Sequence, residues 1–180
     1  MNPMNETNEQ NYRILFSEEE IQHRIKELGA QITMDYEGKA PVLIGLLKGS
    51  FLFIADLARQ IKQPCELEFI LSSTYGNSTE RIKPIGDEVQ LPEIKGKDVL
   101  VVEDIIDTGL SLSELVGKLL TLHPASLRIV ALLDKQRETP APVHADYVGF
   151  PCPDEFVVGY GMDRAQRLRN LPFIGVPKGS

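Results

Sequence analysis

Between Glu103 and Ser111 the chain reads EDIIDTGLS, which sets three carboxylates, two hydroxyls and a glycine within nine residues. The adjacent acids Glu103 and Asp104 suit the vicinal hydroxyls of a ribose, or a hydrated Mg2+ ion, a hard cation that prefers carboxylate oxygen. They would repel a bare phosphate, but the residues after them suit one. If a helix starts here, backbone N–H groups around Thr108, Gly109 and Leu110 lack intrahelical partners and the helix dipole adds positive charge, with the Thr108 and Ser111 hydroxyls alongside. One loop then offers a phosphate cradle and a sugar clamp. The same residues also fit a plainer role, in which Asp107 and Ser111 cap a helix and the acids face solvent.

The flanks supply the frame. Val99-Leu-Val-Val102 is short, apolar and β-branched, as a buried strand requires. From Ser111 or Ser113 onward, Leu112, Leu115, Val116, Leu119 and Leu120 recur at helical spacing. Strand, loop and helix in that order place the loop at the carboxyl end of a strand in a parallel α/β sheet, where ligands bind. A similar unit lies upstream. Pro41 leads into VLIGLL, a turn at Lys48-Gly49-Ser50, and a helix whose inner face is expected to be Phe51, Ile54, Leu57 and Ala58. Lys48 and Gly49 beside that helix start make either an anion site or a plain βα turn with a surface lysine.

Elsewhere, Ser17 and Glu20 form a capping-box pattern opening a helix through Ile21, Ile25 and Leu28 to about Tyr36. Cys65–Leu71 alternates as a strand. The segment after it, from Ser72 to Lys97, is long, polar and suited to a lid over a reactive centre. Leu127–Leu133 reads as another strand, with Lys135 just beyond it. Asp146–Tyr160 reads as two short strands interrupted by prolines, and Phe156 within it is either a core residue or a ring placed to stack on a planar base.

With 180 residues, 42% hydrophobic and 25% charged, the chain suits one globular domain. The first twelve residues are expected to form a polar, mobile tail and residues 13–180 the domain. A net charge of −7 argues against non-specific nucleic-acid binding. No apolar run is long enough to span a membrane, and Cys65 and Cys152 lack metal-ligand spacing, so a reduced, cytoplasmic protein is expected.

Glu103–Gly109, EDIIDTG, resembles the phosphoribosyl pyrophosphate loop of the type I phosphoribosyltransferases, and more narrowly of their hypoxanthine–guanine branch. The resemblance implies that the paired acids hold ribose hydroxyls and that Asp107 lies near a purine ring as proton acceptor. It places the sugar and phosphate contacts on Glu103, Asp104, Ile106, Asp107, Thr108, Gly109, Leu110 and Ser111. Further stretches in family order extend the resemblance from about Ile14 to Gly175. In LKGS the family's pyrophosphate loop, often with an unusual backbone at the pair matching Leu47-Lys48, implies Lys48 and Gly49 as pyrophosphate contacts. Arg169 resembles the arginine that joins them, while Arg164 and Arg167 receive no role. SSTYG resembles a mobile active-site loop whose Ser/Thr-Tyr pair would be Thr74-Tyr75; it departs from the family's SSYG, which leaves that register open by one residue. Lys135 matches a lysine that donates to the exocyclic oxygen of a 6-oxopurine. In PDEFVVGYGMD the resemblance gives Phe156 the stacking role, Val157 the base edge, and Asp163 a place near the base and Mg2+.

The expected fold is therefore α/β, a mainly parallel sheet of about five strands flanked by helices. A small hood from about residues 146–174 should close over its carboxyl edge. The expected function is transfer of a phosphoribosyl group from phosphoribosyl pyrophosphate to hypoxanthine or guanine, with Mg2+ held by Glu103, Asp104 and Asp163. No nucleic acid or membrane partner is expected, and the resemblance suggests a homodimer or homotetramer. A xanthine-preferring enzyme would share the same motifs. A non-catalytic nucleotide- and RNA-binding regulator on the same fold is the other class, disfavoured by the acidic charge and the complete pyrophosphate-handling set.

Overall fold

The Val99–Val102 run is fully buried because it lies in the middle strand of a sheet covered on both faces. The computed structural model describes residues 7–71 and 91–178. Its elements in chain order are β1 (Tyr12–Phe16), α1 (Glu18–Asp35), β2 (Val42–Leu47), α2 (Phe51–Gln60) and β3 (Glu66–Leu71). Then follow β4 (Asp98–Ile106), α3 (Leu110–Leu120), β5 (Ser126–Gln136), β6 (Tyr147–Pro153) and β7 (Ile174–Pro177). Five strands form one parallel sheet in the order β3-β2-β4-β5-β6, and β1 pairs antiparallel with β7.

Alternation along the strands sorts the core into two layers. Leu43, Leu100, Val102, Val130 and Leu132 pack against Ile21, Ile25 and Leu28 of α1 and Phe53, Ile54 and Leu57 of α2. Val42, Ile44, Val99, Val101, Ile129 and Ala131 pack on the opposite face against Leu112, Leu115 and Leu119 of α3. Central strands buried on both faces read as continuous apolar runs, as β2 and β4 do. The outer strand β6 is covered by Arg24, whose guanidinium donates to the carbonyls of Gly149 at 2.9 Å and Val148 at 2.8 Å. That blunts an edge that would otherwise offer free carbonyls.

The capping box is formed: Ser17 Oγ accepts from the Glu20 amide and Glu20 returns a bond to the Ser17 amide at 2.8 Å. Several expectations need correction. In α2 the inward aromatic is Phe53, not Phe51, which is 39% exposed. Leu120 likewise points outward from α3. Lys135 lies inside β5 rather than beyond it, and Asp146–Tyr160 contains the single strand β6, which belongs to the main sheet. The segment over the carboxyl edge therefore starts after Pro153. It has its own small core of Tyr12, Val158, Leu168, Leu171 and Phe173 and is tied down by the β1–β7 ladder. Within the stretch expected as a tail, Glu9–Asn11 form a 3-10 turn and Tyr12 is buried.

Gly117 offers a direct check on α3. A Cβ built there meets nothing within 4 Å, and the residue sits inside the helix. Gly117→Ala should raise stability by about 0.5–1 kcal/mol, because alanine loses less backbone entropy on entering a helix. A higher melting temperature than wild type is the expected reading; a lower one would mean α3 has a different environment.

Candidate active site

The strand order reverses between β2 and β4. From β2 the chain moves outward to β3, whereas from β4 it moves the other way through β5 to β6. Loops leaving the carboxyl ends of two such strands diverge and leave a crevice. A cavity of about 470 Å³ lies there, lined by the β2–α2 loop, the end of β4, the start of α3, Lys135 and the hood segment.

The β4–α3 loop carries the acids. Asp104 is buried, and the alternative in which the pair faces solvent does not hold. Burial, followed by the adjacent charge of Asp104, pushes the Glu103 carboxyl well above its usual range; burial raises Asp104 as well. Gly49 lies directly against this pair, since a Cβ at Gly49 would fall 2.1 Å from Asp104 Oδ2. The Leu47–Lys48 peptide bond that precedes it is cis. No ion pair to Glu103 or Asp104 forms among the described residues. Two adjacent carboxylates, Asp104 buried and Glu103 partly so, are a donor set that fits a hydrated divalent cation.

The raised values fix the sign of a pH effect. A folded-state value above the unfolded one stabilises the fold at low pH, and that contribution is lost as pH rises through the raised value. Glutamine at position 103 mimics the protonated form. In metal-free buffer, Glu103→Gln should therefore gain stability relative to wild type as pH rises from about 5 to about 8. Melting curves across that range would show the two lines diverging; parallel lines would mean that Glu103 stays ionised in the folded chain.

Helix α3 begins at Leu110, earlier than Ser111 or Ser113, with Gly109 as its N-cap at φ 69° and no side-chain capping bond. Neither Asp107 nor Ser111 serves as the cap, so the plainer reading of the loop fails. Thr108, Gly109 and Ser111 line the cavity, whereas Leu110 turns out toward solvent. Ile106 is buried and lines the cavity floor with Ile105.

Across the crevice, Asp107 and Lys135 meet at 3.0 Å. Phe156 is 52% exposed yet lines the same cavity, which rules out the core role. Val157 is buried next to it. Arg169 donates to the Gly161 carbonyl at 2.8 Å and pairs with Asp163 at 2.7 Å. Asp163 also accepts from the Gln166 amide at 2.8 Å. Among the described residues no three acids cluster closely enough to hold a metal by themselves.

The pattern of the phosphoribosyl transferase domain matches residues 12–165. The chain belongs to the phosphoribosyltransferase domain family. It is 48% identical to the hypoxanthine-guanine phosphoribosyltransferase of Bacillus subtilis, with 92% of this chain and 93% of that protein covered. It is 49% identical to the hypoxanthine phosphoribosyltransferase of Haemophilus influenzae, covering 90% of this chain and 93% of that one. The crystal structure of the Staphylococcus aureus hypoxanthine phosphoribosyltransferase superposes with a TM-score of 0.86 at 43% identity, covering 97% of this chain and 96% of that chain.

For a phosphoribosyltransferase domain the structure brings together Lys48, Gly49, Glu103–Gly109, Ser111, Lys135, Phe156, Val157, Asp163 and Arg169 around one cavity. Thr74 and Tyr75, with the lid expected over Ser72–Lys83, lie outside the described residues. Two further residues reach the site. Gln166 holds its side-chain oxygen 3.3 Å from both Lys48 Nζ and an Arg169 nitrogen, so it aligns two cations of the phosphoribosyltransferase cavity. Arg137 donates to Asp107 and to Asp154. Its only signal in the sequence is a cation two residues after Lys135, on the same side of an extended strand.

Proposed function

We propose that this chain transfers the phosphoribosyl group of phosphoribosyl pyrophosphate to hypoxanthine or guanine, releasing pyrophosphate. The observation that carries the reading is the Asp107–Lys135 pair, which lines one cavity with the exposed ring of Phe156 and the start of α3. The ammonium of Lys135 has donors and no acceptor, so it pairs with the 6-oxo group of a purine and not with the amino group of adenine. Phe156 offers the ring a stacking face, and Val157 backbone groups meet its edge. The ribose 5-phosphate sits on the amides of Thr108–Ser111, Leu110 serving by its backbone alone because its side chain is exposed.

As the new bond forms from the purine imidazole nitrogen to the ribose C1, the bond from C1 to pyrophosphate breaks. Asp107 takes the ring proton. Lys48, the Gly49 amide and Arg169 hold the departing pyrophosphate, with Gln166 keeping the two cations aligned. Mg2+ bound through water at Glu103 and Asp104, with Asp163 nearby, would offset charge on the pyrophosphate. A homodimer or homotetramer is supported by the edge strand β3, where Leu67, Phe69 and Leu71 are all exposed. A cytoplasmic location is supported by the two unpaired thiols; among the described residues no helix is long and apolar enough to cross a membrane.

The test is pyrophosphate release from phosphoribosyl pyrophosphate and Mg2+ with hypoxanthine, guanine, xanthine and adenine offered singly. Turnover with the first two and none with adenine is expected. Xanthine as the best substrate would keep the chemistry and change the preference. No turnover with any base by protein that binds phosphoribosyl pyrophosphate would overturn the proposal.

A further inference from the structure

Four charges stand in a row across the end of the sheet. Strand β5 lies between β4 and β6, so the cations at its end, Lys135 and Arg137, fall between Asp107 after β4 and Asp154 after β6. The register makes Lys135 the neighbour of Cys152 and Gln136 the neighbour of Pro153, which brings Arg137 level with Asp154. Each oxygen of Asp107 is occupied: Oδ2 by Lys135 at 3.0 Å and Oδ1 by Arg137 NH1. The same NH1 nitrogen lies 3.1 Å from Asp154 Oδ1, and Lys135 lies 3.6 Å from that oxygen. Lys135 and Asp107 line the cavity, whereas Arg137 and Asp154 do not.

A cation bonds each oxygen of Asp107, so the bond to Arg137 competes with the purine ring N–H for the same carboxylate. We propose that Arg137 is a positioning residue that restrains Asp107 until the purine arrives, and that Asp154 keeps hold of Arg137 when the purine displaces it. The inference rests on the base-binding reading above. One nitrogen already reaches both carboxylates, so the handover requires loss of one hydrogen bond and no swing of the side chain. Because the purine displaces Arg137 from Asp107, that bond stabilises free enzyme against bound enzyme and weakens apparent purine affinity. Among the described residues, removing Asp154 leaves the Arg137 side chain with Asp107 as its one acceptor and strengthens that competition.

The two substitutions should therefore act in opposite directions. Arg137→Met should lower KM for hypoxanthine by about 1.5-fold to fivefold, the range of a partly exposed ion pair, with a smaller change in kcat. Asp154→Asn should raise KM for hypoxanthine by a comparable factor. Arg137→Lys, which keeps a cation at the position, should return KM toward the wild-type value. KM for phosphoribosyl pyrophosphate serves as the reference, since neither residue lines the phosphate side. Steady-state kinetics on the full chain decide it. Movement of KM in the same direction in Arg137→Met and Asp154→Asn overturns the handover. So does an unchanged KM in Arg137→Met, or a fall confined to kcat. These results are distinguishable from failure of the underlying reading, in which wild type itself turns over no 6-oxopurine.

Discussion

Asp107→Asn is expected to lower turnover with hypoxanthine by about 100-fold to 10,000-fold while leaving affinity for phosphoribosyl pyrophosphate close to wild type. The physical reason lies in where the side chain points. Its carboxylate reaches toward Lys135 on the base side of the cavity, not toward the α3 amides that suit the phosphate. Asparagine preserves shape but turns one oxygen into an amide NH2 that cannot accept from Lys135 or Arg137, and it cannot take a proton, so the loss should fall on kcat. Titration with phosphoribosyl pyrophosphate beside single-turnover kinetics separates the two quantities. If binding collapsed and turnover per bound substrate stayed the same, Asp107 would be a structural element of the loop.

Gly161→Ala is expected to be nearly as damaging without touching any reacting group. Gly161 has φ +100°, a conformation L side chains rarely adopt, and a Cβ there would lie 2.1 Å from the Gly49 carbonyl oxygen. The contact joins the hood to the β2–α2 loop at the point where Gly49 also meets Asp104. An added methyl must push those segments apart, at a backbone cost of order 1–3 kcal/mol. It should also displace Arg169, whose NH1 donates to the Gly161 carbonyl. A shift of about 1 Å in positioning groups is enough to lower kcat/KM by about 100-fold. The discriminating measurement compares Gly161→Ala with Gly117→Ala under the same assay. Loss in the first and retention in the second are expected, whereas full activity in both would mean that the hood does not position the site.

The strand–loop–helix centred on EDIIDTG was legible because every level of the sequence agrees there. Buried β-branched residues, small loop residues and helical spacing follow one another without conflict. The same consistency marked VLIGLL and the Ser17–Glu20 cap. Phe51 and Phe53 were harder to sort, since FLFIADLA is apolar on more than one face and its rotation is set by packing on β2. Lys135 read as loop because a charged residue rarely suits a strand interior, yet its ammonium reaches Asp107 from the last turns of β5. Asp154 and Gln166 were not legible, and Arg137 only as a cation two residues after Lys135. Their partners come from segments that only the β4-β5-β6 order and the left-handed turn at Gln166 bring close, and neither is written in local pattern.

The most direct measurement of the central claim is an internal competition. Equal concentrations of hypoxanthine and adenine are mixed with limiting phosphoribosyl pyrophosphate, Mg2+ and the full chain, and the nucleotides formed are separated and weighed against each other. Their ratio reports kcat/KM for the two bases in one tube. A product that is essentially all the 6-oxo nucleotide is expected, from the Lys135 ammonium and its 3.0 Å pairing with Asp107. Adenine nucleotide in comparable amount would contradict the reading of that pair as the base-selecting centre.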